Sequence, residues 1–237
     1  MAIFVGTSGW AYASWKPDFY PPKLAAKKFL EYYATQLNSV EVNFTFRQLP
    51  SAATLSGWLG AVGEDFAFSF KAPQRITHFA RLKNCGDPLA AFYASLAPVA
   101  RAKRLGVVLF QLPPNLKADV ELLDEFLSLS ENTGLKLAFE FRHESWFAEE
   151  IFNVLRQGQA ALCVAESDKL ESPDVKTAPL CCYRLRKSDY SPAELDEIVA
   201  RLRERAKDGD IFVYFKHEET PAGALNAAAV LRRLREE

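Results

Sequence analysis

The sequence predicts an α/β chain folded as a single (β/α)8 barrel of the TIM type. Three observations predict it. Short apolar runs alternate with longer amphipathic runs from one end to the other, the mark of repeated strand–helix units around a parallel sheet. Eight strand-like runs fall within 237 residues, near the roughly 250 typical of a closed barrel. The glycine fingerprints of open nucleotide-binding sheets are missing, since Gly57, Gly60 and Gly63 lie within or at the end of a helical run and follow no strand.

The strands are read at residues 3–7, 39–43, 67–71, 105–111, 135–141, 160–165, 180–185 and 211–215. In the second, Val40 and Val42 face the helices and leave Ser39, Glu41 and Asn43 inward; in the third, Phe68 and Phe70 face out and Ser69 and Lys71 in. That inward polarity predicts a functional lumen. In the fifth, Leu135, Leu137 and Phe139 alternate with Lys136, Ala138 and Glu140, and Arg142 follows. The same parity brings Gln111, Glu166, Arg184 and Lys216 to the top, and a one-residue slip in any strand reverses its faces.

The helices are read at 25–37, 51–62, 89–101, 118–132, 149–157, 192–207 and 222–235. Ser51 and Ser191–Pro192 are start signals, and Gly134, Gly158 and Gly209 follow helix ends. Leu195, Ile198, Val199 and Leu202 recur at helical spacing and define one buried face. Residues 166–179, with Pro173 and Pro179, hold no convincing helix, so the helix after strand six is expected to be short or missing.

With 13 Pro and 11 Gly spread along the chain and no linker-like run, residues 1–237 read as one domain. The 29 Lys and Arg against 30 Asp and Glu give a net charge of −1, which argues against bulk nucleic-acid or membrane-surface binding and confines any such partner to a local patch. The start MAIFVGTSGW lacks a leader pattern and no apolar run reaches the roughly 18 residues of a membrane span, so a soluble, cytoplasmic protein is expected. Cys85, Cys163, Cys181 and Cys182 show no zinc spacing and read as reduced apolar filler; no metal or cofactor is indicated.

In such barrels the site lies at the C-terminal strand ends and the loops beyond. Glu41 and Glu140 are therefore acid/base candidates, and Lys71, Arg142, Arg184, Arg186 and Lys216 are anion partners. The competing reading is that Glu140 with Arg142, or Glu41 with Lys71, only neutralise one another at the rim. His78, His143 and His217 all follow strands, as do Trp10, Trp15 and Trp146, whose rings could stack a sugar or a base. The H-E-S-W-F run at 143–147 lacks the second histidine of a zinc protease, and Ser8 does not match a nucleophile elbow.

GTSGWAYASWKPDFYP, EVNFTF followed by LP, FSFKAP with ITH and RL, VVLFQLPP, EFRHESW and the terminal VYF resemble, in order and over nearly the whole chain, the DUF72 (YecE-like) family. The resemblance implies a TIM-like barrel with its motifs gathered at one end, and no established activity. The matching positions are Ser8, Gly9, Trp10, Glu41, Asn43, Lys71, Pro73, His78, Gln111, Glu140, Arg142, His143, Trp146 and Arg184. Three departures stand out: Arg47 replaces a usual tyrosine, RKSD at 186–189 replaces a usual HG, and KHEE at 216–219 replaces an asparagine-containing turn.

The function expected is catalysis on a small anionic or phosphorylated substrate, sugars included, at the C-terminal mouth. Glu41, Glu140 and His143 are its catalytic candidates; Ser8, Trp10, Asn43, Lys71, His78, Gln111, Arg142, Trp146, Arg184 and Lys216 are its binding candidates. Glycoside chemistry between Glu41 and Glu140 is a narrower form. The alternatives are a nucleotide or single-stranded nucleic-acid binding module without catalysis, and a metal-assisted hydrolase or isomerase using Glu41, Glu140, Glu166, Asp168 and His217.

Overall fold

The computed structural model describes residues 1–166, 170–187, 189–216 and 219–236. Eight parallel strands, β1 Ile3–Ser8, β2 Ser39–Val42, β3 Ala67–Lys71, β4 Leu105–Gln111, β5 Lys136–Glu140, β6 Ala161–Ala165, β7 Leu180–Leu185 and β8 Asp210–Phe215, close in sequence order into a barrel. Closure is made by β1 on β8, where Ile3 to Thr7 run beside Ile211 to Phe215. Seven helices cover it: α1 Phe29–Gln36, α2 Ala52–Gly60, α3 Gly86–Arg101, α4 Val120–Ser128, α5 Glu149–Gln157, α6 Pro192–Ala206 and α7 Ala222–Arg235. The described residues between β6 and β7 form no helix, as their prolines predict.

Most boundaries agree with the sequence reading to within a few residues. The larger differences lie in the loops, where short 3-10 turns form at Ala13–Trp15, Phe44–Phe46 and Glu144–Trp146, and a π-helical turn at Arg75–Phe79. Each is too short to carry a periodic signal. The start signals are used: Ser51 Oγ accepts from the Thr54 amide at 3.1 Å, and Ser191 with Glu194 forms a reciprocal capping box. Asp119 caps α4 in the same way.

Strand parity separates two apolar layers. Val40, Val42, Phe68, Phe70, Phe110 and Phe139 face out beneath the helices. Val107, Leu109, Ala138, Ala161, Cys163, Cys182 and Phe212 fill the lumen. Gly6 is needed where β1 meets β2, because a Cβ there would lie 2.0 Å from the Ser39 carbonyl oxygen. Ser39 and Ser69 do point inward, but neither reaches a cavity. Both are fully buried on the Tyr214 hydroxyl, at 2.8 and 2.6 Å, so their polarity belongs to the lumen's packing and corrects that part of the functional reading. Beneath them Lys136 Nζ bonds Asp210 Oδ2 at 2.7 Å at the N-terminal end of the barrel. The open polar end is therefore the C-terminal one.

Candidate functional site

The site begins with Arg184, the last inward residue of β7, whose side chain is 1% exposed. Its Nη2 donates to Glu41 Oε1 at 2.8 Å and its Nη1 donates to Glu140 Oε2. Strand parity forces this meeting, since Glu41 on β2 and Glu140 on β5 sit at the same height on other sides of the barrel. Ser8 on β1 completes it, donating its Oγ to Glu41 Oε1 at 2.8 Å.

Around this buried centre lies a second ring of cations. Arg142 Nε donates to Glu140 Oε1 at 3.1 Å and Arg186 Nη2 to the same oxygen at 2.7 Å. Their side chains remain 33% and 23% exposed, so both guanidiniums still face solvent. Lys71 Nζ donates to Gln111 Oε1 at 2.8 Å and lies 4.1 Å from the centre of the Phe46 ring. Four cations, Lys71, Arg142, Arg184 and Arg186, thus surround two carboxylates, a local charge of +4 − 2 = +2 when Lys71 is protonated. A cleft of about 460 Å³ opens beside them, lined by Arg142, His143, Glu144, Ser172 and Arg186 among others.

The electrostatics separate the titratable groups. Burial acts to raise the Glu140 carboxyl, but Arg184, Arg186 and Arg142, with a hydrogen bond from Gln111, outweigh it and hold the group well below the usual carboxylate range. A carboxylate held ionised in this way is a weak base and no acid at neutral pH, which removes Glu140 from proton transfer. Glycoside chemistry, which needs one protonated carboxylic acid, loses its donor there. Lys71 shifts the other way: burial and then the Arg184 charge lower its amine from 10.5 to about 8. His78 is lowered first by burial and then by Lys71 and Arg142, and its Nδ1 sits 2.8 Å from Thr77 Oγ1.

Four buried polar atoms at this end have no protein partner: Glu41 Oε2, Asn43 Oδ1, Arg184 Nε and Arg186 Nε. Two are acceptors and two are donors, so the site presents unmet capacity of both kinds.

Other sequence candidates sit elsewhere or do other work. Trp146 is corrected: it is fully buried, stacked on Phe141 at 4.5 Å, and its indole N–H donates to the Leu116 carbonyl at 2.8 Å. It anchors the loop after β5 and offers no face to the mouth. Trp15 is likewise buried among Tyr12, Phe19 and Tyr20. Trp10 is half-buried and meets Trp58 edge-on at 5.2 Å. His143 uses Nδ1 to accept the Ser145 amide at 3.2 Å, capping its own turn, while the ring lines the cleft. Lys216 is half-buried, and its backbone amide bonds the Leu185 carbonyl at 2.8 Å. Glu166 Oε2 accepts from the amides of Arg186 and Lys187, at 2.6 and 3.1 Å, and from the Tyr190 hydroxyl, so it shapes the loop that presents Arg186. His217 and Asp168 lie outside the described residues.

The whole arrangement has relatives. The family model described as "Protein of unknown function DUF72" matches residues 4–237. The chain belongs to the DUF72 family. UPF0759 protein YunF of Bacillus subtilis is 30% identical over 155 residues, 63% of this chain and 54% of that protein. UPF0759 protein YecE of Escherichia coli K12 is 31% identical over 148 residues, 62% of this chain and 51% of that protein. The matched stretch thus spans about half the length of these curated relatives. A crystal structure of a DUF72 family protein from Thermotoga maritima superposes with a TM-score of 0.88 at 26% identity, covering 100% of both chains. D-Psicose 3-epimerase of Clostridium cellulolyticum superposes with a TM-score of 0.59 at 12% identity over 99% of this chain and 98% of its own, a likeness of fold alone.

Within this DUF72 chain three relationships escaped the sequence reading. Arg186 falls in the RKSD departure and supplies a further guanidinium to Glu140. Phe46 places its ring under Lys71. Cys163 and Cys182, distant in sequence, are register partners in the lumen. Strand pairing alone could have revealed the last. Among the described residues no three His, Cys, Asp or Glu side chains converge as metal ligands, and no helix is long and apolar enough to cross a membrane.

Proposed function

We propose that this DUF72 protein is an enzyme whose C-terminal mouth binds a small anionic substrate that also carries hydroxyl groups, sugar phosphates and sugar acids being the fitting class. The observation that carries the reading is the surplus of guanidinium over carboxylate. Glu140 needs one cation and touches three, two of them still open to solvent. Arg142 and Arg186 are then free to grip a phosphate or carboxylate in the cleft, where planar guanidiniums match oxyanions. The unpaired Glu41 Oε2 and Asn43 Oδ1 suit hydroxyl donors on the same ligand. Proton transfer falls to Lys71, close to neutrality, in place of Glu140. A reducing, cytoplasmic setting belongs to the same proposal, since all four cysteines are free and buried.

The test is a thermal-shift panel of phosphate, sugar phosphates and sugar acids against neutral sugars, on the wild type and on Arg142→Ala and Arg186→Ala. Stabilisation by anions alone, weakened in both variants, is the expected result; a response to none of them sinks the proposal.

The binding-module alternative is less favoured because two of its three loop tryptophans are sealed in the core. The metal-assisted alternative is less favoured because Glu41 and Glu140 are both occupied by Arg184.

A further inference from the structure

Lys71 ends β3 on the inward face, where barrels of this type place reacting groups. Its two contacts are a neutral amide oxygen and an aromatic face, Gln111 and Phe46. The charged groups around it come from several elements: Arg184 on β7, Glu41 on β2, Glu140 and the following Arg142 at the end of β5, and His78 in the loop after β3 itself. Of these, both carboxylates are held by arginines. The ammonium therefore sits half-buried in a locally cationic site with no carboxylate of its own, an arrangement that favours the neutral amine. At pH 7.5 an amine near 8 is about one quarter neutral, against about one part in a thousand for an exposed lysine near 10.5, an advantage of about two hundredfold in nucleophile concentration.

Gln111 and the Phe46 ring hold the amine in place, while Arg142 and Arg186 lie beyond Glu140 to take a charged group. We infer that Lys71 is a nucleophile that condenses with the carbonyl carbon of a small anionic aldehyde, ketone or 2-oxo acid to form an imine. The inference rests on the anion-binding reading of the same mouth. The nitrogen lone pair attacks the carbonyl carbon and the C=O π pair moves to oxygen. Two protons leave the nitrogen for that oxygen, which departs as water, and a C=N bond remains. No oxidant or reductant takes part. The imine then serves as an electron sink for proton removal or bond cleavage at the adjacent carbon.

The experiment traps the adduct. Protein at pH 7.5 is incubated with pyridoxal 5′-phosphate, an anionic aldehyde, or with glycolaldehyde, a neutral one, then reduced with sodium borohydride and mapped by peptide mass spectrometry. Lys71 is expected to be modified about a hundredfold or more faster than surface lysines. Its rate should rise with pH through about 8, and inorganic phosphate should suppress the pyridoxal phosphate reaction. Lys71→Arg and Lys71→Met should both lose the fast phase. If Lys71 reacts no faster than surface lysines with either aldehyde, the imine is overturned, even where phosphate still raises the melting temperature. If Lys71 reacts fast but phosphate neither protects it nor stabilises the protein, the imine stands and the anion site falls.

Discussion

Glu41 and Glu140, on strands three apart around the barrel, are joined through a single buried guanidinium, that of Arg184. Neither carboxylate is left to face the other across open space, and the centre of the mouth is an ion network with its donors turned outward. The buried pairs are maintained by one another, so removing one member leaves charges without partners.

Arg184→Met should therefore destabilise the protein by about 3–5 kcal/mol at neutral pH, read by urea denaturation. Adding Glu41→Gln and Glu140→Gln should restore part of the loss, because the uncompensated carboxylates cause it. A loss below 1 kcal/mol, or no recovery in the triple variant, contradicts the network.

The pH dependence of Glu140 has a definite sign. Its folded carboxyl is held below its ordinary 4.5 by three arginines against the opposing effect of burial. Its contribution is then fully present above 4.5 and is lost as pH falls toward the folded value. The stability gap between wild type and Glu140→Gln should be widest above about pH 5.5 and should narrow steadily below about 4.5. A gap that does not change with pH rules this out.

Lys71 has the opposite charge and a folded amine lowered from 10.5 to about 8. Below 8 both states are protonated and the folded state carries the burial penalty; between 8 and 10.5 the unfolded chain holds the extra proton. The wild type should therefore gain stability relative to Lys71→Met as pH rises through that window. Denaturation curves at pH 7 and pH 10.5 decide it, and equal differences at both would contradict the lowered amine.

Trp146→Ala should cost about 3–5 kcal/mol, since a fully buried ring and its hydrogen bond to Leu116 are both lost. Anion affinity in the protein that remains folded should be unchanged. Trp10→Ala, at a half-buried ring, should cost less. Affinity lost in step with Trp146 would return that ring to the binding surface.

How far the sequence discloses all this follows from what each signal measures. The barrel is legible because eight strands and seven helices each carry a periodic pattern, and parity then sends Ser8, Glu41, Lys71, Gln111, Glu140 and Arg184 to one end. Parity stops at direction. It does not separate Ser39 and Ser69, which face inward to bond Tyr214, from Glu41, which faces inward at the mouth. Loop residues have no period at all, so Trp146 reads as exposed until its stacking on Phe141 is seen. The charge state of Glu140 was hidden for a related reason: it depends on Arg184 and Arg186, 44 and 46 residues away in sequence.

The most direct measurement is calorimetric titration of inorganic phosphate and a sugar phosphate into the wild type and into the Arg142→Ala/Arg186→Ala double variant. If the outward guanidiniums are the anion grip, the wild type binds and the double variant binds about tenfold or more weakly. A wild type that binds neither ligand, or a double variant that binds as tightly as the wild type, contradicts it.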